Sequence, residues 1–326
     1  MVEKPTIADI ARELGLSKSA VSNALRGLPQ VSVDTAARVK AYALERGWRP
    51  NAAARALSLA RSDNVGIALV QAEQLLRSEP FYMNAIAGIE RVLSPNGKNL
   101  LLRTIEAADD ELAVYESWIT EGRVDGVILF DPRLHDPRPR LLMQGQLPFA
   151  VYGESSTLSP TELVVEETQT IVEHLASRGH TNALFIGGPG NLAHERDRAD
   201  QLVRLSSSRG IRVVATNNDY SIEGGRKAAR DAFGSAQFSA VVASSDLLAI
   251  GAVAEVSEHP GTSVAVVSWD DSLLCQYSAH PLTALDRDHG HYGEVAATQL
   301  LNSAYSIGLP DLPHYPSRLM VRASSL

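Results

Sequence analysis

The stretch TIADIARELGLSKSAVSNALRG, residues 6–27, constrains the fold more than any other part of the chain. It reads as an amphipathic helix, a glycine turn and a second short helix. Thr6 can cap the first helix with its hydroxyl, and Asp9 puts negative charge in the first turn, where the helix dipole favours it. Ile7, Ile10, Ala11 and Leu14 recur at helical spacing and form one apolar face. Gly15 supplies the left-handed residue that ends a helix abruptly. Ser17 can cap the next helix, whose buried side is Val21, Ala24 and Leu25. A helix-turn-helix needs a small residue where its helices cross, a positive φ in the turn and an apolar plug between the helices. Ala11, Gly15 and Val21 stand at that spacing. Taken alone, this stretch also fits a plain helical hairpin.

The next thirty residues extend the motif. A third helix is expected from Ser32 to about Arg46, capped by Ser32 and ended by Gly47. In RPNAAARALS, residues 49–58, Pro50 breaks the chain and Asn51 opens an alanine-rich piece. Isolated helices below about 12 residues are marginal in water, so this piece is expected to fold only against a partner. Charge is divided along the same line. Residues 1–61 hold ten Lys/Arg against five Asp/Glu, and the remainder holds 20 against 33, so a basic head precedes an acidic body. That arrangement attracts phosphate at one end and repels it elsewhere.

From residue 64 the pattern changes to short apolar strands alternating with amphipathic helices. Strands are expected at 65–70, 100–104, 124–130, 149–152, 183–187, 211–215, 240–243 and 264–269. Helices are expected at 82–93, 113–121, 168–178, 223–233 and 246–258. Such alternation implies parallel sheets covered by helices on both faces, and two sets of strands imply two lobes. A single cysteine, Cys275, excludes an internal disulfide and fits a reducing compartment. No apolar run approaches a membrane span, and no signal peptide precedes Lys4, so a cytoplasmic protein without membrane partners is expected.

The head resembles that of the lactose/galactose repressor family of bacterial transcription regulators. The matching residues are Thr6-Ile7-Ala8-Asp9-Ile10-Ala11, Gly15-Leu16-Ser17, Ala20-Val21-Ser22, Val31-Ser32, and Arg49-Pro50-Asn51 with Ala54, Arg55 and Leu57. The body resembles the same family's effector core, of periplasmic-binding-protein fold, through VGIALV, AIAGIE at 85–90, VDGVIL at 124–129, SRGHTNALFIGG at 177–188, LLAIGAV at 247–253, VAVVSWDD at 264–271 and PLTAL at 281–285. The expected architecture is therefore an all-α helix-turn-helix head (1–48), a hinge helix and linker (49–61), and an α/β two-lobed core (62–326). The N-lobe would comprise about 62–155 and 288–315, and the C-lobe about 156–287 and 316–326.

The resemblance also implies roles. In the second helix Lys18, Ser19 and Asn23 would read base edges, with Ser17 and Ser22 beside them. Lys18 suits guanine, and Asn23 suits adenine or a water-bridged contact, although family members often carry arginine where Asn23 stands. Ser32, Thr35 and Asn51 fit phosphate or sugar contacts, Arg26 and Arg55 supply charge, and Thr6 is counted with the DNA-binding positions. Ala54 and Leu57 fall where the family's hinge helices enter the minor groove, Leu57 being the apolar wedge between base pairs. One head buries too little surface for tight specific binding, so a homodimer on a near-palindromic operator is expected. The family's ligand positions fall on Tyr82, Arg198, Tyr220 and Asp270, with Phe130, Glu154, Ser245, Trp269 and Arg287 around them. Of these, Ser245 replaces a usual asparagine, Glu154 stands where sugar binders tend to show Asp or Arg, and Phe130 and Arg287 fill positions that are often amides.

A sugar or sugar derivative is the first expectation for the ligand. The added arginine also admits an acidic sugar, a sugar phosphate or a nucleobase, with a purine or nucleoside as the alternative. A ligand-insensitive core and an exported binding protein are the competing classes. No enzymatic reading emerges, because no nucleophile stands paired with a base, and no cofactor is expected. DRDHGHYGE, residues 286–294, has the composition of a metal site but the position of solvated capping residues, so no metal is assigned. GGPG at 187–190 lacks the Lys-Ser/Thr of a phosphate loop and reads as a strand-to-helix turn.

Overall fold

The computed structural model describes residues 5–26, 30–48, 61–70, 80–107, 110–154, 158–234, 237–259 and 264–326. The expected hinge residues Asn51, Ala54, Arg55 and Leu57 lie outside them. The chain divides into two compact units, Met1–Ser62 and Asp63–Leu326.

In the first unit, α1 (Ile7–Leu14) opens with a full capping box. Asp9 N–H donates to the Thr6 hydroxyl, and the Asp9 carboxylate accepts the Thr6 N–H at 3.0 Å. Asp9 thus closes a hydrogen-bonded ring as well as opposing the helix dipole. Gly15 takes φ 66°, which lets Leu16 N–H return to the Ala11 carbonyl at 2.9 Å and turns the chain into the next helix. The second helix, α2 (Lys18–Arg26), is capped by Ser17, whose Oγ accepts Ala20 N–H at 3.1 Å. Ser32 caps α3 (Val33–Glu45) in the same way. Ile10, Val21, Ala24 and Val39 are wholly buried at the junction of the three helices, with Ala11, Leu14, Leu25 and Trp48 packed around them. Val21 therefore occupies the plug position that its spacing implies.

The second unit holds two sheets. β1 (Asn64–Val70), β2 (Asn99–Ile105), β3 (Gly126–Leu129) and β4 (Phe149–Val151) form the first, all parallel, in the order β2-β1-β3-β4. Helices α4 (Pro80–Leu93), α5 (Glu111–Glu121) and α6 (Arg138–Gln144) connect these strands. The chain then enters the second lobe with α7 (Pro160–Ser177), β5 (Asn182–Gly187), α8 (Ala193–Ser207), β6 (Arg212–Asn217), α9 (Ile222–Phe233), β7 (Ala240–Ala243), α10 (Asp246–Ser257), β8 (Ala265–Ser268), α11 (Leu273–Tyr277) and β9 (Thr283–Asp286). It returns to pack α12 (His289–Tyr305) on the first sheet, and crosses back to add β10 (Arg318–Met320) antiparallel to β9. The second sheet runs β10-β9-β8-β7-β5-β6.

Buried strands read as continuous apolar runs here because both faces are covered: β3, β7 and β8 are buried along their whole length. Two expectations change. Helix α7 begins at Pro160, earlier than its apolar period suggests, because Ser159 and Glu162 form a capping box with proline at the first helical position. The short strands β9 and β10 carry no periodicity of their own and form by pairing along the sheet edge.

Candidate ligand cavity and nucleic-acid face

The C-terminal ends of the strands in both lobes face one cavity of about 260 Å³. Such crevices are where open α/β sheets bind ligands, since helix N-termini and loop side chains converge there. Phe81 and Tyr82 enter from α4, Asp131 from the end of β3, and Tyr152 and Glu154 from the end of β4. From the second lobe come Glu167 on α7, His194, Asp197 and Arg198 on α8, Tyr220 before α9, Ser244 and Ser245 after β7, Asp270 after β8 and Arg287 after β9.

Polar pairing organises the floor. Arg287 donates from Nε to Glu167 at 2.6 Å and from Nη1 to Asp270 at 3.1 Å. His289 places Nε2 3.1 Å from the same Asp270 oxygen, off the hydrogen-bonding direction. Burial alone would raise the Asp270 carboxyl, but His289 and Arg287 outweigh it and hold it far below the ordinary carboxylate range. Arg198 is 4% exposed; its Nη1 donates to Glu195 and to the Ser244 carbonyl, both at 3.1 Å, and its guanidinium lies over the Trp269 ring. Glu195 also accepts the Gly188 N–H and the Tyr220 hydroxyl. Gly188 is required there: a Cβ would stand 2.3 Å from the Tyr220 ring. Behind the wall, Arg198 Nε and Ser244 Oγ are buried without a hydrogen-bond partner among the described residues.

The lobes also touch through their main chains. Ala193 N–H donates to the Pro132 carbonyl at 2.8 Å, and Leu134 N–H to the Asn191 carbonyl at 2.9 Å. This bridge joins the loop that carries Asp131 to the start of the helix that carries His194, Asp197 and Arg198.

The structure thus brings Tyr82, Glu154, Arg198, Tyr220, Ser245, Asp270 and Arg287 to one cavity wall. Two expected members stand behind it. Phe130 is 2% exposed and stacks on Tyr152 at 4.6 Å, and Trp269 is wholly buried, with its indole N–H on Glu167. Both side chains point into the core beneath their sheets and support wall residues without lining the space. Asp270, expected to accept ligand hydroxyls, has its Oδ1 engaged by Arg287, and the Ser245 Oγ accepts the Leu248 N–H at the start of α10. Nor are residues 286–294 a run of solvated caps. Asp288 does cap α12, but Arg287 and His289 flank it in the buried ion cluster. Sequence reasoning does not find Phe81, Asp131, Tyr152, Glu167, His194, Asp197 and Ser244. Each sits just past a strand end or on the first turns of a helix, a position that the alternating pattern marks without showing which side chains turn inward.

On the head, Ser17, Lys18 and Ser19 are exposed at the start of α2, with Ser22 and Asn23 half-buried one turn on and Arg26 its last residue. The Ser17 and Ser19 hydroxyls lie 3.0 Å apart. Ser32 bonds the Thr35 hydroxyl at 2.9 Å, and Thr6 donates its own to Asp9 at 2.7 Å, so these hydroxyls also serve the helix ends.

Family models match the two parts separately: bacterial regulatory proteins of the lacI family over residues 6–51, and a periplasmic binding protein-like domain over residues 172–325. The chain belongs to the lacI family. It is a DNA-binding transcriptional regulator. It is 27% identical to the HTH-type transcriptional regulator CelR of Thermobifida fusca over 92% of both chains. It is 25% identical to the ribose operon repressor of Escherichia coli, over 91% of this chain and 92% of that one. The lac repressor dimer bound to operator and the anti-inducer ONPF superposes with a TM-score of 0.81 at 20% identity, covering 99% of this chain and 100% of that one. A CelR–cellobiose complex gives 0.71 at 24% identity, over 98% and 99%. These lacI-family relatives are named as regulators, not enzymes. Among the described residues no helix is long and apolar enough to cross a membrane.

Proposed function

We propose that this lacI-family regulator is a repressor, binding a near-palindromic operator as a homodimer, whose operator affinity is set by a sugar or sugar derivative held between the core lobes. The observation that carries the effector half is the cavity itself. It combines flat aromatic faces, Tyr82, Tyr152 and Tyr220, with carboxylates from both lobes. A sugar offers an apolar CH face to the rings and hydroxyls to the carboxylates. The names of two relatives, one solved with cellobiose and one regulating a ribose operon, agree with that class.

For the DNA half, Lys18, Ser19 and Asn23 would read bases, and Thr6, Ser17, Ser22, Arg26, Ser32, Thr35, Asn51 and Arg55 would position the head on the backbone. Ala54 and Leu57 would enter the minor groove at the operator centre. Occupancy of the cavity and folding of the 49–61 segment would then be linked, each biasing the other by the same factor. The test is operator binding with and without ligand. Cellobiose, maltose and ribose are screened first for stabilisation of the core, which reaches about 2.7 kcal/mol at a hundredfold excess over Kd. A hit that shifts operator affinity at least about tenfold supports the reading. Operator binding that no stabilising ligand changes refutes it.

A further inference from the structure

We infer that the cavity accepts a polyhydroxylated ligand carrying no negative charge, and rejects the phosphorylated or carboxylated form of the same molecule; this rests on the sugar reading above and narrows it. The sequence alone leaves the opposite open, because Arg287 and Arg198 both face the ligand space and arginine is the usual partner of phosphate and carboxylate.

The geometry removes that option. Arg287 is held between Glu167 at 2.6 Å and Asp270 at 3.1 Å, and Arg198 by Glu195 at 3.1 Å. Each guanidinium is thus neutralised by a carboxylate of the same lobe before any ligand arrives. The wall also carries Asp131, Glu154 and Asp197. Asp131 accepts the Tyr82 hydroxyl at 2.7 Å, and no described cation stands against Glu154. Carboxylates therefore exceed guanidiniums on the wall. An incoming anion would either sit unpaired among them in a space of low polarity or pull an arginine off its partner and leave that carboxylate unpaired. Both are costly.

Calorimetry on the full chain with matched pairs tests this: ribose and its terminal phosphate ester, glucose and its terminal phosphate ester, cellobiose and cellobionic acid. The expected result is that any neutral sugar that binds does so on the order of 100-fold more tightly than its anionic partner. An anionic member that binds as tightly as its neutral parent, or more so, overturns the inference. A second arm does not depend on the sugar reading. The core is melted with increasing inorganic phosphate against chloride at equal ionic strength. Saturable stabilisation that is lost in Arg287→Gln or Arg198→Gln overturns the inference. No stabilisation, or stabilisation that survives both substitutions and so arises elsewhere, supports it. If no member of any pair binds, the sugar reading fails and the phosphate arm alone decides the question of charge.

Discussion

Replacing Ala193 with proline isolates the main-chain bridge between the lobes. Ala193 is the first residue of α8, where an N–H has no partner within the helix and proline is well tolerated. The preceding Leu192 is extended, at φ −83° and ψ 132°, which is the conformation proline imposes on its neighbour. Ala193→Pro therefore removes the N–H that donates to the Pro132 carbonyl at 2.8 Å and puts a ring carbon in the hydrogen's place against that oxygen, so the joined lobes lose a bond and meet a clash. A net hydrogen bond contributes about 0.5–1.5 kcal/mol, so with the clash added the balance between joined and separated lobes should move by at least roughly two- to tenfold. The readout is hydrogen exchange at the Leu134 amide, which makes the other bond of the bridge at 2.9 Å. Its exchange should speed up by a similar factor, while the core melts within a few degrees of the parent. Ala193→Gly, which keeps the N–H, is the control and should leave Leu134 protected. An unchanged Leu134 rate in Ala193→Pro would refute the idea that these two bonds act as one latch. The latch matters because its two loops carry Asp131 on one side and Asp197 and Arg198 on the other. Any ligand touching both must favour the joined state.

The same contacts set four further expected outcomes. Glu195 is buried, which by itself would raise its carboxyl, yet His194, Arg198 and the Gly188 N–H lower it to about 2 from 4.5. Its contribution is complete above pH 4.5 and fades as pH falls toward about 2, so thermal melts of Glu195→Gln should depend less steeply on pH in that window than those of the parent. Gly188→Ala should cost about 1–3 kcal/mol of core stability and weaken ligand binding, because its methyl displaces the Tyr220 ring from Glu195; an unaltered melt would contradict that packing. Ile10→Ala empties the centre of the three-helix head and should destabilise it by about 2–5 kcal/mol, abolishing operator binding while ligand stabilisation of the core persists. Thr6→Ala breaks the capping box and should cost the head about 1 kcal/mol by circular dichroism melting.

The head is readable from sequence because its signals are local. Thr6, Gly15, Ser17 and Ser32 act through backbone groups within a few residues of themselves, and the apolar period of Ile7, Ile10, Ala11 and Leu14 is a property of one helix. The same holds for the strand runs of the core, which become uniformly apolar wherever both faces of a sheet are covered. Strands β9 and β10 are not legible, since their pairing is supplied by neighbours far away in the chain.

The cavity divides along the same physical line. Sequence by itself, through its resemblance to the lacI family, marked Tyr82, Arg198, Tyr220, Asp270 and Arg287 as positions around a ligand, and the alternation of strands and helices implied a crevice at the C-terminal ends of the strands. Only the tertiary structure decided what each could still bind. Residues 120 apart in the chain, Glu167 and Arg287, meet at 2.6 Å and cancel, and Trp269 turns beneath the sheet to hold Glu167 and underlie Arg198. An arginine's charge is written in the sequence; whether it is free for a ligand depends on which carboxylates the fold brings beside it.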